Sequence, residues 1–235
     1  MAKTVSGIEI NPGLAEAYNH RGIAYENKNQ YDKAISDYTK AIELNPRDTE
    51  AYNNRGNAYT EKGQYDKAIS DFNKAIEINL RFAEAYKNRG LAYRKKGQYD
   101  QAIADTTKVI EINQRDAMAY HYRGIGYAKK GQYDEAIADY NKAIEINPKD
   151  ADAYYNRGLA YAKGKGQYDK AISDFTKAIE INPMGTEAYR NRGLAYLYIR
   201  DYEKAWGDVH KVQNLGYKVH PRFLEALREA SGRQE

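Results

Sequence analysis

Residues 52–68 read YNNRGNAYTEKGQYDKA, and near copies of this stretch return along the whole chain. The dipeptide that opens it, Ala51-Tyr52, has counterparts at Ala17-Tyr18, Ala85-Tyr86, Ala119-Tyr120 and Ala153-Tyr154, each 34 residues from the last. The sixth copy, Ala188-Tyr189, arrives one residue late. The extra residue falls in AKGKGQYD, most simply Gly164, where earlier copies have KKGQYD. It is expected in the turn between two helices, where added length costs little. A fixed period of this size marks an array of stacked units.

Each unit divides into two helical halves. Ala51, Tyr52, Gly56 and Tyr59 form one apolar or small face, and Ala68, Ile69, Phe72, Ala75 and Ile76 form another. Both have the spacing of a helix covered on one side. Lys62-Gly63-Gln64 interrupts the pattern, with Gly63 suited to a left-handed helix cap. Asn45-Pro46, Asn147-Pro148 and Asn182-Pro183 end second halves, because proline disfavours helix in the residue before it. Two antiparallel helices with a short turn cannot bury both faces alone, so neighbouring units must stack. Of 24 tyrosines, 18 stand at three places per unit, as at Tyr52, Tyr59 and Tyr65, which predicts packing between helices.

Bulk composition narrows function by exclusion. The 235 residues carry 37 basic and 33 acidic side chains, a net charge of +4 that gives no argument for nucleic acid. Without cysteine there is no disulfide, thiol chemistry or thiolate metal site. MAKTVSG lacks the apolar segment of a secretory signal and no apolar run approaches a membrane span, so a cytoplasmic location is the expectation. His20, His121, His210 and His220 show no metal spacing, and the glycines fall at packing and turn positions rather than in a phosphate loop. No catalysis, cofactor or metal is expected.

Tyr86, Gly90, Tyr93 and Ala102 in the third copy, and Tyr120, Gly124, Tyr127, Ala136, Tyr140 and Pro148 in the fourth, carry a family resemblance. The unit resembles the tetratricopeptide repeat (TPR), with tyrosine for the usual tryptophan and Leu80, Gln114 and Tyr217 where proline is expected. The resemblance implies an all-α fold, a right-handed superhelical α-solenoid of antiparallel helix pairs. Six units are read at 15–48, 49–82, 83–116, 117–150, 151–185 and 186–218. Residues 1–14, with SGIEINPG, copy the tail of a second helix and are read as the remnant of a preceding repeat. Residues 219–235 are read as a capping helix and tail, Pro221 opening it and Phe223, Leu224 and Leu227 facing the last unit.

One residue type sits oddly. Where the family has leucine, this chain has Arg21, Arg55, Arg89, Arg123, Arg157 and Arg192 on a face expected to be buried. The second helices answer with Asp37, Asp71, Asp105, Asp139, Asp174 and Asp208. The lysine four residues before Asp71 is a rival partner, but that position becomes Gln101 and Glu135 while arginine and aspartate persist. A partly buried Arg–Asp ion pair in each unit is expected, serving the register of near-identical helices.

In the resembled family the first helices line a concave groove that holds peptides. The outward positions are Asn19, His20, Ile23 and Glu26 in the first unit, then Asn53, Asn54, Asn57 and Thr60. Lys87, Asn88, Leu91, Arg94 and Lys95 follow, then His121, Tyr122, Ile125 and Lys129. Tyr155, Asn156, Leu159 and Lys163 come from the fifth unit, and Arg190, Asn191, Leu194 and Leu197 from the sixth. Asn54, Asn88, Asn156 and Asn191 form a row able to bond a peptide backbone. Apolar and basic neighbours imply a protein or peptide partner with apolar and acidic character, bound by an adaptor or scaffold. The alternatives are a structural scaffold self-associating through its uncovered N-terminal end, and nucleic-acid binding. The face changes type from unit to unit and is apolar at most of the base-reading places, which argues against nucleic acid.

Overall fold

The structure, a computed structural model, describes residues 4–5, 8–9 and 12–233. The chain divides into two compact units, residues 1–114 and 115–235. The first holds a short antiparallel pairing of β1 (Thr4–Val5) with β2 (Ile8–Glu9), in which Val5 opposes Ile8. It continues with α1 (Pro12–Glu26), α2 (Tyr31–Leu44), α3 (Thr49–Glu61), α4 (Tyr65–Ile78), α5 (Ala83–Lys95) and α6 (Tyr99–Ile112). The second holds α7 (Ala117–Lys129), α8 (Tyr133–Ile146), α9 (Ala151–Lys165), α10 (Tyr168–Ile181), α11 (Thr186–Tyr198), α12 (Tyr202–Asn214) and α13 (Pro221–Ser231). The reading of residues 1–14 as a repeat remnant falls mostly outside the described residues.

Local chemistry sets the helix ends. Asp48, Asp116 and Asp150 cap α3, α7 and α9, each carboxylate accepting from the backbone N–H three residues on at 2.9–3.0 Å. After the first helices, Gly63, Gly97 and Gly131 take φ of +70 to +78°, the left-handed conformation that closes the turn. A backbone bond then reaches back five residues, from Gln64 N–H to the Tyr59 carbonyl at 2.8 Å and likewise at Gln30, Gln98 and Gln132.

Within a pair, the close approach needs both a hole and a ring to fill it. Gly22 and Gly56 face Tyr38 and Phe72 in the first unit of the fold, and Gly124 and Gly158 face Tyr140 and Phe175 in the second. A Cβ added at any of these glycines would lie 2.5–2.7 Å from a ring carbon. These second-helix rings are the fully buried ones. Most tyrosines of the repeating stripe are half-buried between helices instead. Gly90 faces the smaller Thr106, Gly193 lies near Phe223 of α13, and an added Cβ at either would stand 3.3 Å from Asp105 or Asp208.

Stacking follows one rule in both units. First helices touch their successors, α1 with α3 and α3 with α5, and α7 with α9 and α9 with α11, whereas second helices make no comparable contact with one another. Within each unit the second helix packs instead on the next first helix, α2 on α3 and α4 on α5, and α8 on α9 and α10 on α11. Each stack is therefore tight along its first helices and splayed along its second ones, which makes the first-helix side the hollow one. At the far end Phe223, Leu224 and Leu227 of α13 cover α11 and α12 beside Trp206, whose indole N–H donates to the Ser231 hydroxyl at 3.1 Å.

The extra residue of the fifth repeat is not in the turn. It lengthens α9, whose last turn widens so that the Gly166 N–H bonds the Tyr161 carbonyl five residues back. The closing bond, Gln167 N–H to the Tyr161 carbonyl at 3.0 Å, spans six residues where the other turns span five. The widened turn places Gly164 against Tyr133, where a Cβ would lie 2.2 Å from the ring. Keeping the turn intact and distorting the helix preserves the closing bond.

Candidate ligand-binding face

The repeated arginine is a three-way joint. Arg55 grips Asp71 with two parallel bonds, Nε to Oδ2 at 2.7 Å and Nη2 to Oδ1 at 2.8 Å. Its remaining Nη1 donates to Thr39 of the preceding repeat at 3.0 Å, and its plane lies 5.7 Å from the Tyr52 ring centre. Arg89 repeats the pattern with Asp105 and Asn73, Arg157 with Asp174 and Asn141, and Arg192 with Asp208 and Thr176. Arg123 pairs with Asp139 at 2.8 Å, and Arg21 with Asp37 at 2.6 Å. The Arg21 side chain is 57% exposed against 16–18% for Arg55, Arg89, Arg157 and Arg192. Burial pushes the Asp105 and Asp208 carboxyls above the usual range, against the downward pull of their arginines.

On the first-helix side of residues 12–114, Asn54, Asn57, Leu91 and Arg94 are partly exposed and Lys95 is exposed. Lys87 pairs with Glu84 at 2.7 Å. The asparagine row is used internally. Asn54 donates its amide to buried Asn19 at 3.1 Å, and Asn88 donates to buried Asn53 at 3.0 Å. Asn19 and Asn53, read from the sequence as groove residues, are thus acceptors for the next repeat. Asn54 and Asn88 each spend one amide donor on the neighbouring repeat.

In residues 115–233 the same joint recurs with other chemistry. Asn156 meets His121 Nε2 at 2.9 Å, and His121 Nδ1 meets the Asp150 carboxylate at 3.2 Å. His121 is only 8% exposed with both ring nitrogens occupied, so this expected groove residue belongs to the joint. Asn191 donates to the Tyr155 hydroxyl at 3.0 Å and to the Glu187 carbonyl at 2.8 Å. Arg190 is likewise committed, to Glu187 and, at 2.7 Å, to the Lys218 carbonyl. Tyr122, Ile125, Tyr155, Asn156 and Leu159 are partly exposed, and Lys129, Lys163 and Leu194 are exposed.

Leu159, Lys163, Asn191 and Leu194 come together around a cavity of about 360 Å³ between α9 and α11. Ala162, Tyr168, Phe175, Ala195 and Tyr198 complete its wall. Sequence reading passed over these five. The available signal was a break in repeat grammar, since Tyr198 stands where earlier units carry Lys95, Lys129 and Lys163. Among the described residues no group of three or more His, Cys, Asp or Glu side chains is placed to hold a metal. No described helix is long and apolar enough to cross a membrane.

The tetratricopeptide repeat family matches residues 15–48, 49–82, 83–116 and 151–184, and a further TPR description matches 126–164. Comparison with curated proteins returned no match. Among solved structures, MamA is 32% identical with a TM-score of 0.66 over 72% of this chain and 92% of that one. YrrB, described as a TPR protein with an unusual peptide-binding site, is 30% identical with a TM-score of 0.63 over 73% of this chain and 88% of its own. A tetratricopeptide repeat protein from Parabacteroides merdae is 27% identical with a TM-score of 0.66, covering 94% and 86%. With repeat geometry and family match in agreement, the chain belongs to the tetratricopeptide repeat family.

Proposed function

We propose that this protein is a non-catalytic scaffold whose first-helix faces bind a segment of a partner protein with apolar and acidic character. One observation carries the reading. After the packing of the repeats has used the arginines, the buried asparagines and His121, the hollow side keeps exposed side chains that no joint employs. Among them are Lys95 in the first unit of the fold, and Lys129, Lys163 and Leu194 in the second. None of the three lysines has an ion-pair partner among the described residues. Apolar side chains beside unpaired cations favour an extended chain with alternating apolar and acidic residues. YrrB's peptide-binding site lends support by similarity.

Selection from a displayed random-peptide library tests this. Enriched sequences should be apolar and acidic, and should lose binding to Lys129→Glu while keeping it to Lys142→Glu on the second-helix side. Peptides indifferent to first-helix substitutions overturn the reading. A self-associating scaffold is the second reading, supported by Leu14 and Ile23 on α1, which are 46% and 38% exposed. Light scattering that shows a monomer at high concentration removes it.

A further inference from the structure

The 360 Å³ cavity between α9 and α11 lies within one compact unit and differs in kind from the polar joints around it. Its floor is Phe175, fully buried beneath Gly158. Its sides are Leu159 and Ala162 from α9 and Leu194 and Ala195 from α11. Its rim is a pair of stacked rings, Tyr168 and Tyr198, with centroids 4.7 Å apart and planes 10° from parallel. Of nine large hydrophobic side chains left exposed among the described residues, three are Leu194 and Tyr198 of α11 and Ile199 at its cap. Such local exposure is a cost in a monomer unless a ligand covers it. The volume is at the lower end of the about 300–1,000 Å³ of ligand pockets, which suits one side chain rather than a whole small molecule.

The polar atoms at the cavity narrow what enters. Lys163, exposed and without an ion-pair partner, is its charged wall residue. The Asn191 nitrogen is already committed to Tyr155 and Glu187, so Asn191 offers an acceptor oxygen. A peptide backbone N–H is the complement of that oxygen, a carboxylate is the complement of Lys163, and an aromatic ring is the complement of a Tyr–Tyr rim over a Phe floor. We infer that this cavity is an anchor for one aromatic side chain of a bound peptide, flanked by a carboxylate that Lys163 holds. The inference rests on the groove reading and makes it more specific.

The probe is a blocked peptide of sequence Gly-Ser-Asp-Phe-Asp-Ser-Gly beside its Phe→Ala counterpart, titrated by calorimetry and mapped by amide chemical shifts. The phenylalanine peptide should bind about tenfold more tightly or better, with shifts at Leu159, Lys163, Leu194 and Tyr198. Tyr198→Ala should remove most of that preference, and Lys163→Glu should weaken both peptides by a similar factor. Both side chains are exposed, so the variants should keep the wild-type helical circular dichroism. Equal affinity of the two peptides overturns the anchor, as does absence of binding. Shifts confined to α3 and α5 overturn the anchor while leaving the groove reading intact. Loss of binding with Lys163→Glu but unchanged preference in Tyr198→Ala also overturns it, because charge alone would then explain recognition.

Discussion

Replacing Arg89 by leucine, Asp105 by leucine and both together asks whether the repeated ion pair is a unit. Asp105 has a side chain 5% exposed and takes two bonds from Arg89, at 2.6 and 2.9 Å. Arg89→Leu strands that carboxylate inside the helix pair, at a cost of about 3–5 kcal/mol. Asp105→Leu is milder, about 1–3 kcal/mol, because the guanidinium keeps its Asn73 bond at 2.6 Å and a path to water. Independent effects would sum to about 4–8 kcal/mol, whereas two leucines in contact should leave the protein within about 2 kcal/mol of wild type. The expected coupling is therefore at least about 2 kcal/mol, well outside the roughly 0.5 kcal/mol scatter of independent sites. Urea unfolding by circular dichroism supplies the energies, with amide exchange in α5 and α6 to detect partial unfolding of the array. The single Arg89→Leu variant should also regain stability as the solution is acidified, since protonation removes the stranded charge. Losses that add strictly, or an Arg89→Leu variant blind to acid, would refute the pairing.

Three further outcomes follow from the packing. Gly56→Ala should destabilise by about 1–3 kcal/mol through the 2.6 Å approach to Phe72, while Gly90→Ala, with 3.3 Å to its nearest neighbour, should cost less or gain helix propensity, as read from urea midpoints. Gly164→Ala should fall with the costly group, because its Cβ would meet Tyr133 at 2.2 Å. Burial raises the Glu26 carboxyl above its usual range, Glu61 adding to the rise while the Tyr38 hydroxyl, donating at 2.7 Å, opposes it. A carboxyl raised in the folded state favours folding below its unfolded pKa and loses that contribution as pH climbs through the folded value. Glu26→Gln should match wild type in acid and exceed it near neutral pH in the same assay.

Periodicity made the helix pairs readable because every copy repeats the same two covered faces. The partner of each arginine was readable for a related reason, since Asp105 and Asp139 persist where the rival lysine becomes Gln101 and Glu135. Contacts between repeats were not readable in that way. Asn54, Asn88, Asn156 and Asn191 look alike in sequence, yet they meet Asn19, Asn53, His121 and Tyr155. A position that varies from unit to unit reads as an open face, and here part of the variation is one surface of a joint matched to the next. The insertion misled for the converse reason. Turns are the usual sink for an added residue, but this turn is held by the Gln167–Tyr161 bond and the helix gave way.

The arginine joint and the varied joint also divide the work of specificity between them. Because all six arginines meet an aspartate in their own pair, that contact cannot distinguish one repeat from another. What it resists is sliding. A shift of one helical turn, about 5.4 Å, along the second helix would carry Arg89 away from Asp105 and leave a buried charge without its partner. Identity comes from the other joint. His121 set between Asp150 and Asn156 in place of Asn19 or Asn53 makes that junction chemically distinct. An Asn156→Leu variant should therefore damage the α7–α9 junction, visible as faster amide exchange there, while leaving the Arg157–Asp174 contact in place. Equal loosening of both would mean that the two joints form one cooperative lock.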